Sequence, residues 1–221
     1  MDFDLKATKE IISDEFMNTE NFSLVVRSIC GDMTAPIQLF AKIGKVVLTI
    51  PDICFYKKFE SFLKYNQFSE DEYAELSDWI VSYGEKEENA LRIINYINNA
   101  KSMKKIHYYS NVTRCALSFK LNMSLYFRIC NVIDFVFEED LKFLADNIID
   151  NYDKNFEPNY CTQSLHAVGL MDFNDTIGNF GKYKFNNMSK LVDVCAVSFG
   201  NETRYPNPKE EIDKIKAELN F

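Results

Sequence analysis

Few residues of this chain could carry out catalysis, and they are widely spaced. The only histidines are His107 and His166, and Cys161 lies shortly before the second of them. A cysteine and a histidine within hydrogen-bonding distance can act as nucleophile and base. Side chains five positions apart on one helix point about 140° away from each other, so we expect Cys161 and His166 to diverge. His107 has no second histidine or cysteine at metal-ligand spacing, and we interpret it as a surface or packing residue.

Acidic pairs, glycine loops and cysteines give no further sign of catalysis. Glu87-Glu88 and Glu138-Glu139-Asp140 stand at predicted helix starts, where the helix dipole explains them. Neither G-x-x-x-x-G-K nor G-x-G-x-x-G occurs, so a phosphate-binding loop is not indicated. The cysteines form no C-x-x-C pair, which favours free thiols over a zinc site or disulfides. The sequence therefore predicts a non-enzymatic protein with no catalytic residue, metal or cofactor.

The strongest candidate for a binding surface is the basic segment 101–128, which contains no acidic residue. Basic residues interleaved with aromatic ones can neutralise and stack on single-stranded nucleic acid. The same charges could instead pair with the acidic stretches 70–88 and 138–157, which is the commoner arrangement. The candidate interaction residues, including two lysines from the C-terminal region, are Lys101, Lys104, Lys105, Tyr108, Tyr109, Arg114, Lys182 and Lys184.

The overall charge disfavours nucleic acid as the partner. The chain has a formal net charge of −8 and a pI of about 4.9, whereas proteins that hold phosphates usually carry positive charge. Hydrophobic residues make up 47% and the mean hydropathy is −0.24, which is typical of a globular protein. The N-terminus MDFDLKATKE has neither the basic start nor the apolar run of a secretory signal. We therefore expect a cytoplasmic location.

One stretch, Thr34–Ile50, permits a membrane interpretation. It is shorter than the roughly 20 apolar residues that a membrane span needs, and Lys42 and Lys45 lie near its middle. A helix lying in a membrane surface would fit, and with the next helix the contact would cover Thr34–Leu63. A core-facing helix with its lysines in water is the simpler arrangement, so a membrane partner is disfavoured.

The elements that would position these residues are mostly helices. Leu121–Phe137 is the most apolar stretch, and its polar residues recur at helical spacing in one thin stripe. We predict that it is the central helix of a multi-helix bundle, buried on several sides. Ser69 and Glu72 have the spacing of a capping box. Further predicted helices are Asp4–Met17, Asp52–Tyr65, Glu85–Ala100 and one beginning at Glu138.

The pattern changes after the polar stretch NYDKNFEPN, which we interpret as a linker. The sequence therefore predicts a helical bundle over residues 1–152 and a smaller unit with a terminal helix over 160–221. The predicted elements of the smaller unit are helix Tyr160–Val168 closed by Gly169, strand Leu170–Phe173, strand Tyr183–Phe185, helix Ser189–Phe199, and a final helix capped by Asn207 with Pro208 at its first position.

This order of elements resembles the second half of a winged-helix unit. The resemblance is carried by Leu165–Leu170 (LHAVGL), the wing-like turn Asn174–Gly181, and Tyr183-Lys184-Phe185 leading into Ser189–Phe199. It implies a mainly α fold, a multi-helix bundle with a small C-terminal winged-helix-like α+β unit. Winged helices often bind DNA through the helix before the wing, but here that helix, CTQSLHAV, has no lysine or arginine. We therefore expect the wing to serve packing or protein contact.

The helical block Glu87–Ile149 is similar to uncharacterised helical proteins of bacteria with AT-rich genomes and of their phages. The similarity lies in the central apolar helix and the acidic start with Asp140-Leu141 that follows it. Those proteins join an all-helical body to a short winged C-terminal unit. The resemblance implies a phage or mobile-element origin and transfers no activity.

From the sequence we expect a non-enzymatic protein that acts by binding a host or other partner protein. Its negative charge, its two acidic helix starts and its lack of a catalytic motif favour this function. A winged-helix regulator that binds DNA as a dimer is one alternative. A peripheral membrane protein that uses Thr34–Leu63 is the other.

Overall fold

The protein is mainly helical, with a small two-stranded antiparallel sheet near its C-terminus, as the sequence predicted. The computed structural model describes residues 19–29, 34–43, 50–66, 69–81, 86–175 and 181–219. The predicted helix Asp4–Met17 and Lys45 lie outside these residues. The helices are α1 (Thr19–Ile29), α2 (Thr34–Ile43), α3 (Ile50–Asn66), α4 (Glu70–Val81), α5 (Lys86–Asn99), α6 (Met103–Phe119), α7 (Met123–Phe135), α8 (Glu138–Asn151), α9 (Tyr160–Ala167), α10 (Asn187–Val192) and α11 (Pro208–Glu218).

The chain forms two compact units that divide between Ser110 and Asn111, within α6. The sequence suggested a later boundary, between 152 and 160, because the residues there are polar and favour turns. The difference arises because a helix can pass from one compact unit to the next without any change in its own sequence pattern.

The first unit is built around α5, which packs against α1, α3 and α4. The predicted apolar residues Leu91, Ile94 and Ile97 of α5 are buried, which confirms this face of the helix. On α3, Phe55 and Phe59 are also buried and stack with ring centroids 5.9 Å apart. Aliphatic and aromatic side chains together therefore form the core of this unit.

The start of α4 has the predicted capping box. The backbone N–H of Ser69 donates to Oε2 of Glu72 at 2.8 Å, and the backbone N–H of Glu72 donates to Oγ of Ser69 at 3.3 Å. These reciprocal bonds satisfy two backbone donors that a helix start otherwise leaves unpaired.

Helix α7 is shorter than the predicted helix Leu121–Phe137. Asn122 caps its start by accepting a 2.8 Å hydrogen bond from the backbone N–H of Leu125. Side chains on several sides of α7 are buried, as predicted: Met123, Leu125, Tyr126, Phe127, Ile129, Cys130 and Ile133.

The C-terminal end of the predicted central helix differs from the expectation. Helix α7 ends at Phe135, and Val136 and Phe137 have extended backbone angles. Val136 is buried, whereas Phe135 and Phe137 on either side of it are 67% and 65% exposed. The prediction that both phenylalanines are buried was therefore wrong. Phe135 lies one helical turn after the exposed Asn131 on α7, and Phe137 points away from the buried Val136 because successive side chains alternate where the chain is extended.

The sheet consists of β1 (Met171–Asn174) and β2 (Lys182–Phe185) in antiparallel register, with Met171 opposite Phe185 and Asn174 opposite Lys182. Gly169 ends the preceding helix with φ +79°, a left-handed conformation that glycine adopts without steric cost. The predicted short helix, the glycine stop and the two strands are therefore confirmed.

The predicted linker contributes to the second unit's packing. Phe156 and Tyr183 exchange two backbone hydrogen bonds of 2.7 and 2.9 Å, so β2 is paired on both sides. The ring of Phe156 packs edge-on against those of Phe143 and Phe185, with centroids 5.8 and 5.1 Å apart. A polar sequence here surrounds one aromatic residue that joins α8 to the sheet.

Helix α10 packs against α7, α8 and α11 and continues directly into a π-helical turn, Asp193–Val197. The backbone N–H of Ser198 donates to the carbonyl oxygen of Asp193 at 2.7 Å, the i to i+5 spacing of a π-helix. Helix α11 begins with Pro208 at its first position, as predicted. The predicted side-chain cap by Asn207 was wrong, because the Asn207 side chain makes no capping hydrogen bond.

Candidate functional site

Most of the predicted interaction residues in the first unit are buried. Lys105, Tyr108 and Tyr109 are all less than one-tenth exposed, so the two rings do not face solvent where a base could stack on them. Lys101 and Lys104 are exposed, and Nζ of Lys104 lies 5.8 Å from the centroid of the Tyr108 ring. Tyr108 and Tyr109 therefore belong to the core.

The predicted lysines of strand β2 are held in ion pairs. Nζ of Lys182 lies 3.0 Å from Oε1 of Glu157, and Nζ of Lys184 lies 3.0 Å from Oδ1 of Asp153. Both partners come from the acidic stretch 138–157, so the hairpin's positive charge is balanced within the second unit. Arg114, also in this unit, is half-buried.

The residues with catalytic potential contact different partners. Nδ1 of His166 lies 2.8 Å from the carbonyl oxygen of Met171. Burial, followed by a hydrogen bond to Asp140, raises the pKa of the Cys161 thiol. As expected, these two side chains do not form a dyad. The ring of His107 packs edge-on against a tyrosine, with centroids 4.8 Å apart. Within the described ranges, no three His, Cys, Asp or Glu side chains converge as they would around a metal ion.

Sequence reasoning missed a buried polar cluster around Asp193. This carboxylate is fully buried at the start of the π-helical turn. It accepts hydrogen bonds from Oγ of Ser198 at 2.8 Å, Nε of Arg204 at 2.9 Å and the Tyr205 hydroxyl at 2.6 Å. Burial and then the charge of Asp193 raise the pKa of Tyr205 above its ordinary value. Three donors satisfy the hydrogen-bonding capacity of this buried carboxylate, so the cluster is suited to a structural role.

A cavity of about 440 Å³ lies beside this cluster, between the end of α8, α10 and α11. Lys190 is paired with Glu211 there and also lies over the Tyr152 ring, with Nζ 5.0 Å from the centroid. The Arg204 side chain is bound to Asp193 and to a backbone carbonyl. Lys190 and Arg204 are thus engaged by the protein itself, whereas Lys214, which also lines the cavity, is exposed.

An apolar groove between α7 and α9 is the feature best suited to contact another molecule. Its volume is about 520 Å³. Tyr160, one turn before Ser164 on α9, is 93% exposed and extends the same side of that helix. Oγ of Ser164 donates a 2.6 Å hydrogen bond to Oδ2 of Asp140, and this bond fixes α9 to α8. The residues that line the groove are Asn131, Val132, Phe135, Phe137, Ser164, Ala167 and Val168.

Acidic residues flank the two exposed phenylalanines. Asp134 precedes Phe135 in α7, and Glu138 and Glu139 follow Phe137 in the first turn of α8. The negative end of the α7 dipole and the positive end of the α8 dipole meet at this corner and partly offset each other. These carboxylates border the end of the groove that holds Phe135 and Phe137.

None of the helices in the described part of the chain combines the length and apolar character needed to cross a membrane. In comparisons with known proteins, no protein-family model matches the chain, no curated protein matches its sequence, and no solved structure matches its fold.

Proposed function

We propose that this protein acts by binding another protein at the α7–α9 groove and does not itself catalyse a reaction. The observation that carries this proposal is the exposure of Phe135 and Phe137, two of the side chains that line one apolar depression. Exposed apolar patches bordered by polar residues mark interaction sites, and aromatic residues are frequent among the side chains that dominate binding energy.

The energetics support the same function. Burying an exposed phenylalanine side chain is worth roughly 1.5–3 kcal/mol, so covering Phe135 and Phe137 would contribute substantially to an association. Neither ring is needed to fill the core of the second unit, because both are about two-thirds exposed. A partner that covers them gains this energy without rearranging the fold.

The arrangement of reactive side chains also supports binding over catalysis. Cys161 contacts Asp140, His166 contacts the Met171 backbone, and Asp193 holds three hydrogen-bond donors. A nucleophile needs an adjacent base, and these groups are directed to separate structural contacts.

DNA binding by a winged-helix-like unit is a weaker proposal. The order α9, β1, β2 and α10 supports a winged-helix-like arrangement. Against DNA binding stand the ion pairs of Lys182 and Lys184 and the lack of lysine or arginine in α9. Gel shifts at low and moderate salt test it, since phosphate contacts produce a complex that weakens steeply with salt.

Membrane-surface binding through Thr34–Leu63 has less support. Leu39 of α2 and Phe55, Phe59 and Phe62 of α3 are buried in the first unit, so these apolar side chains are already covered. Among the side chains of this stretch that the structure describes, Ile37 is 71% exposed and Ile53 38%, and two isoleucines on different helices provide little apolar surface for a bilayer. Co-sedimentation with anionic vesicles tests this alternative.

The proposed function is tested by comparing three immobilised proteins: the wild type, a Phe135→Ser/Phe137→Ser double variant and an Ile37→Ser control. The control removes an equally exposed apolar residue from a different helix. We expect a protein retained by the wild type and the control, and depleted at least tenfold on the double variant, a difference of about 1.4 kcal/mol. That protein, once purified, should bind the wild type directly.

Equal retention of the same proteins by wild type and double variant would contradict the proposal. So would a wild-type protein that retains nothing.

A further inference from the structure

We propose that Cys115 and Cys195 form a redox-sensitive pair, which hydrogen peroxide oxidises to a disulfide that joins α6 to the π-helical turn. In the reduced protein the two thiols are hydrogen-bonded to each other, although α7, α8, α9 and the sheet separate them along the chain. This inference is independent of the proposed protein-binding function and concerns the interior of the second unit.

Two further contacts hold α6 against the π-helical turn and the residues that follow it. Nδ2 of Asn111 donates a 2.7 Å hydrogen bond to the carbonyl oxygen of Ala196. The ring of Phe119 packs edge-on against that of Phe199, with centroids 6.5 Å apart. Asn111, Cys115 and Phe119 recur every four residues, so they share one side of α6. The packing one turn before and one turn after Cys115 therefore keeps its sulfur beside that of Cys195.

Burial protects the pair in the closed structure. Neither Cys115 nor Cys195 has any exposed surface. Burial, followed by the hydrogen bond to Cys195, raises the pKa of the Cys115 thiol, so little of it ionises to the reactive thiolate. Oxidation therefore requires a local opening that admits water and peroxide to the two sulfurs.

The segment after the π-helical turn provides the shortest route to solvent. Val197, two residues after Cys195, is half-buried, and residues 200–203 are exposed. Opening of residues 197–203 brings Cys195 close to the surface while α6 stays folded. The rate at which the pair is oxidised therefore reports how often this segment opens.

The reaction consumes one molecule of hydrogen peroxide for each disulfide. In the opened state one thiol loses its proton and its sulfur attacks a peroxide oxygen; the O–O bond breaks, which leaves a sulfenic acid and, after protonation, water. The second thiol attacks the sulfenic sulfur, so that the S–S bond forms, the S–O bond breaks and a second water leaves. The two thiols together lose two electrons, and the peroxide is reduced to water.

The test detects the disulfide directly by peptide mass spectrometry. The full-length protein is treated with hydrogen peroxide, its remaining thiols are alkylated, and it is digested with trypsin. Cleavage after Arg114 and Lys190 yields the peptides CALSFK and LVDVCAVSFGNETR, each of which contains one cysteine. We expect these two peptides to be linked as the main disulfide product, two hydrogen masses lighter than their sum.

The rate of oxidation tests the requirement for opening. Urea at a concentration below the unfolding transition should accelerate formation of the linked peptide by about tenfold, because it favours the opened state. Oxidation of the exposed Cys54 should change little under the same conditions. In fully denaturing urea the linked peptide should become one of several pairings, because the fold no longer selects the partner.

The stability of the oxidised protein provides a second measurement. Its urea midpoint should lie on the order of 1 M above that of the reduced protein, because the disulfide closes a long loop in the unfolded chain. Dithiothreitol should reverse this shift by thiol–disulfide exchange. Cys130→Ala, which removes another fully buried thiol of the second unit, is the matched control and should keep the linked peptide and the shift. Cys195→Ala should lose both.

Absence of the linked peptide at a peroxide dose that oxidises Cys54 would overturn the inference. Equal yields of it in the native and the fully denatured protein would do the same, as would a stability shift that Cys195→Ala retains. If Cys195→Ala does not fold, the linked peptide and the reversible shift of the wild type decide the question. Partner capture by the α7–α9 groove is measured separately, so failure of either proposal leaves the other in place.

Discussion

The hydroxyl of Tyr205 donates a 2.6 Å hydrogen bond to Oδ2 of Asp193, a carboxylate with no exposed surface. The same oxygen accepts a 2.9 Å bond from Nε of Arg204. Asp193 begins the π-helical turn, whereas Arg204 and Tyr205 lie in the segment that leads into α11. This carboxylate therefore fixes the segment that leads into the last helix.

Replacement of Asp193 by alanine should destabilise the protein by about 3–5 kcal/mol. The substitution leaves the partly buried Arg204 guanidinium without its charged partner and removes the acceptor for Tyr205 and Ser198. Urea denaturation followed by circular dichroism measures the loss. The matched control is Lys184→Ala, which breaks a more exposed ion pair with Asp153 and should cost about 0–1 kcal/mol. Losses of similar size in the two variants would refute a special role for the buried carboxylate.

Stability should decline at alkaline pH, in part because of Tyr205. Burial raises the pKa of Tyr205 in the folded protein, whereas the unfolded chain ionises near the ordinary value of 10.0. Above pH 10 the unfolded state therefore loses a proton that the folded state retains, and the free energy of unfolding falls as the pH rises. Below that value this contribution is fully present.

The Tyr205→Phe variant tests the pH effect. It should be less stable at neutral pH because it lacks the bond to Asp193, but its stability should fall less steeply between about pH 10 and pH 11. Denaturation midpoints across this range provide the measurement. Tyr160→Phe, at an exposed position, is the control and should keep the wild-type slope. Identical slopes for Tyr205→Phe and the wild type would contradict the assignment.

The groove phenylalanines should contribute little to the fold. Phe135→Ser/Phe137→Ser should change the free energy of unfolding by no more than about 0.5 kcal/mol for each substitution, because both side chains are mostly exposed. Phe127→Ala on the same helix removes a buried ring and should cost about 3–5 kcal/mol. Thermal or urea unfolding of the two variants makes the comparison. A large loss in the serine double variant would show that these rings support the core.

Gly169→Ala should destabilise the second unit by about 1–2 kcal/mol through the backbone alone. Gly169 has φ +79°, and a Cβ atom built there meets nothing within 4 Å, so the cost comes from the left-handed conformation and not from a clash. Gly169→Asn should cost less, because asparagine tolerates this conformation better. Chemical denaturation of both variants tests the order, and equal stability of the alanine variant and the wild type would contradict it.

The features that the sequence predicted well depend on residues close together in the chain. Ser69 and Glu72 form their capping box across three positions. Gly169 closes α9: its backbone N–H donates to the carbonyl oxygen of His166 at 2.9 Å, and the N–H of the next residue donates to the carbonyl oxygen of Leu165. Pro208 starts α11. In each case the residue type itself supplies the conformation or the hydrogen bond.

The groove could not be predicted because the end of α7 has no local marker. Neither glycine nor proline follows Phe135, and the run Phe135-Val136-Phe137 is apolar like the core residues before it. Phe135 faces outward in the last turn of the helix, one turn after the exposed Asn131, and the change to extended chain then turns Val136 inward and Phe137 outward. Tyr108 and Tyr109 show the opposite error. They stand among charged residues in the sequence, which suggested exposure, and the structure buries both.

The Asp193 cluster had one signal in the sequence, a single acidic residue within the apolar run LVDVCAV. Such a residue needs a partner if it is buried. Its partners lie 11 and 12 positions later, beyond a π-helical turn, and the pattern of the chain gives no indication of that geometry.

Because of the π-helical turn, the contacts of Asp193 with Arg204 and Tyr205 depend on the number of residues between them as well as on the residue types. A π-helical turn accommodates one residue more than an α-helical ladder does. Deletion of Ala196 would allow the ladder to close in α-helical register, and the chain that follows would rotate by about 100° around the helix axis. Arg204 and Tyr205 would then be carried away from Asp193, although all three residues would still be present. Related chains that keep this cluster should therefore vary in length before Asp193 or after Tyr205, and not between them.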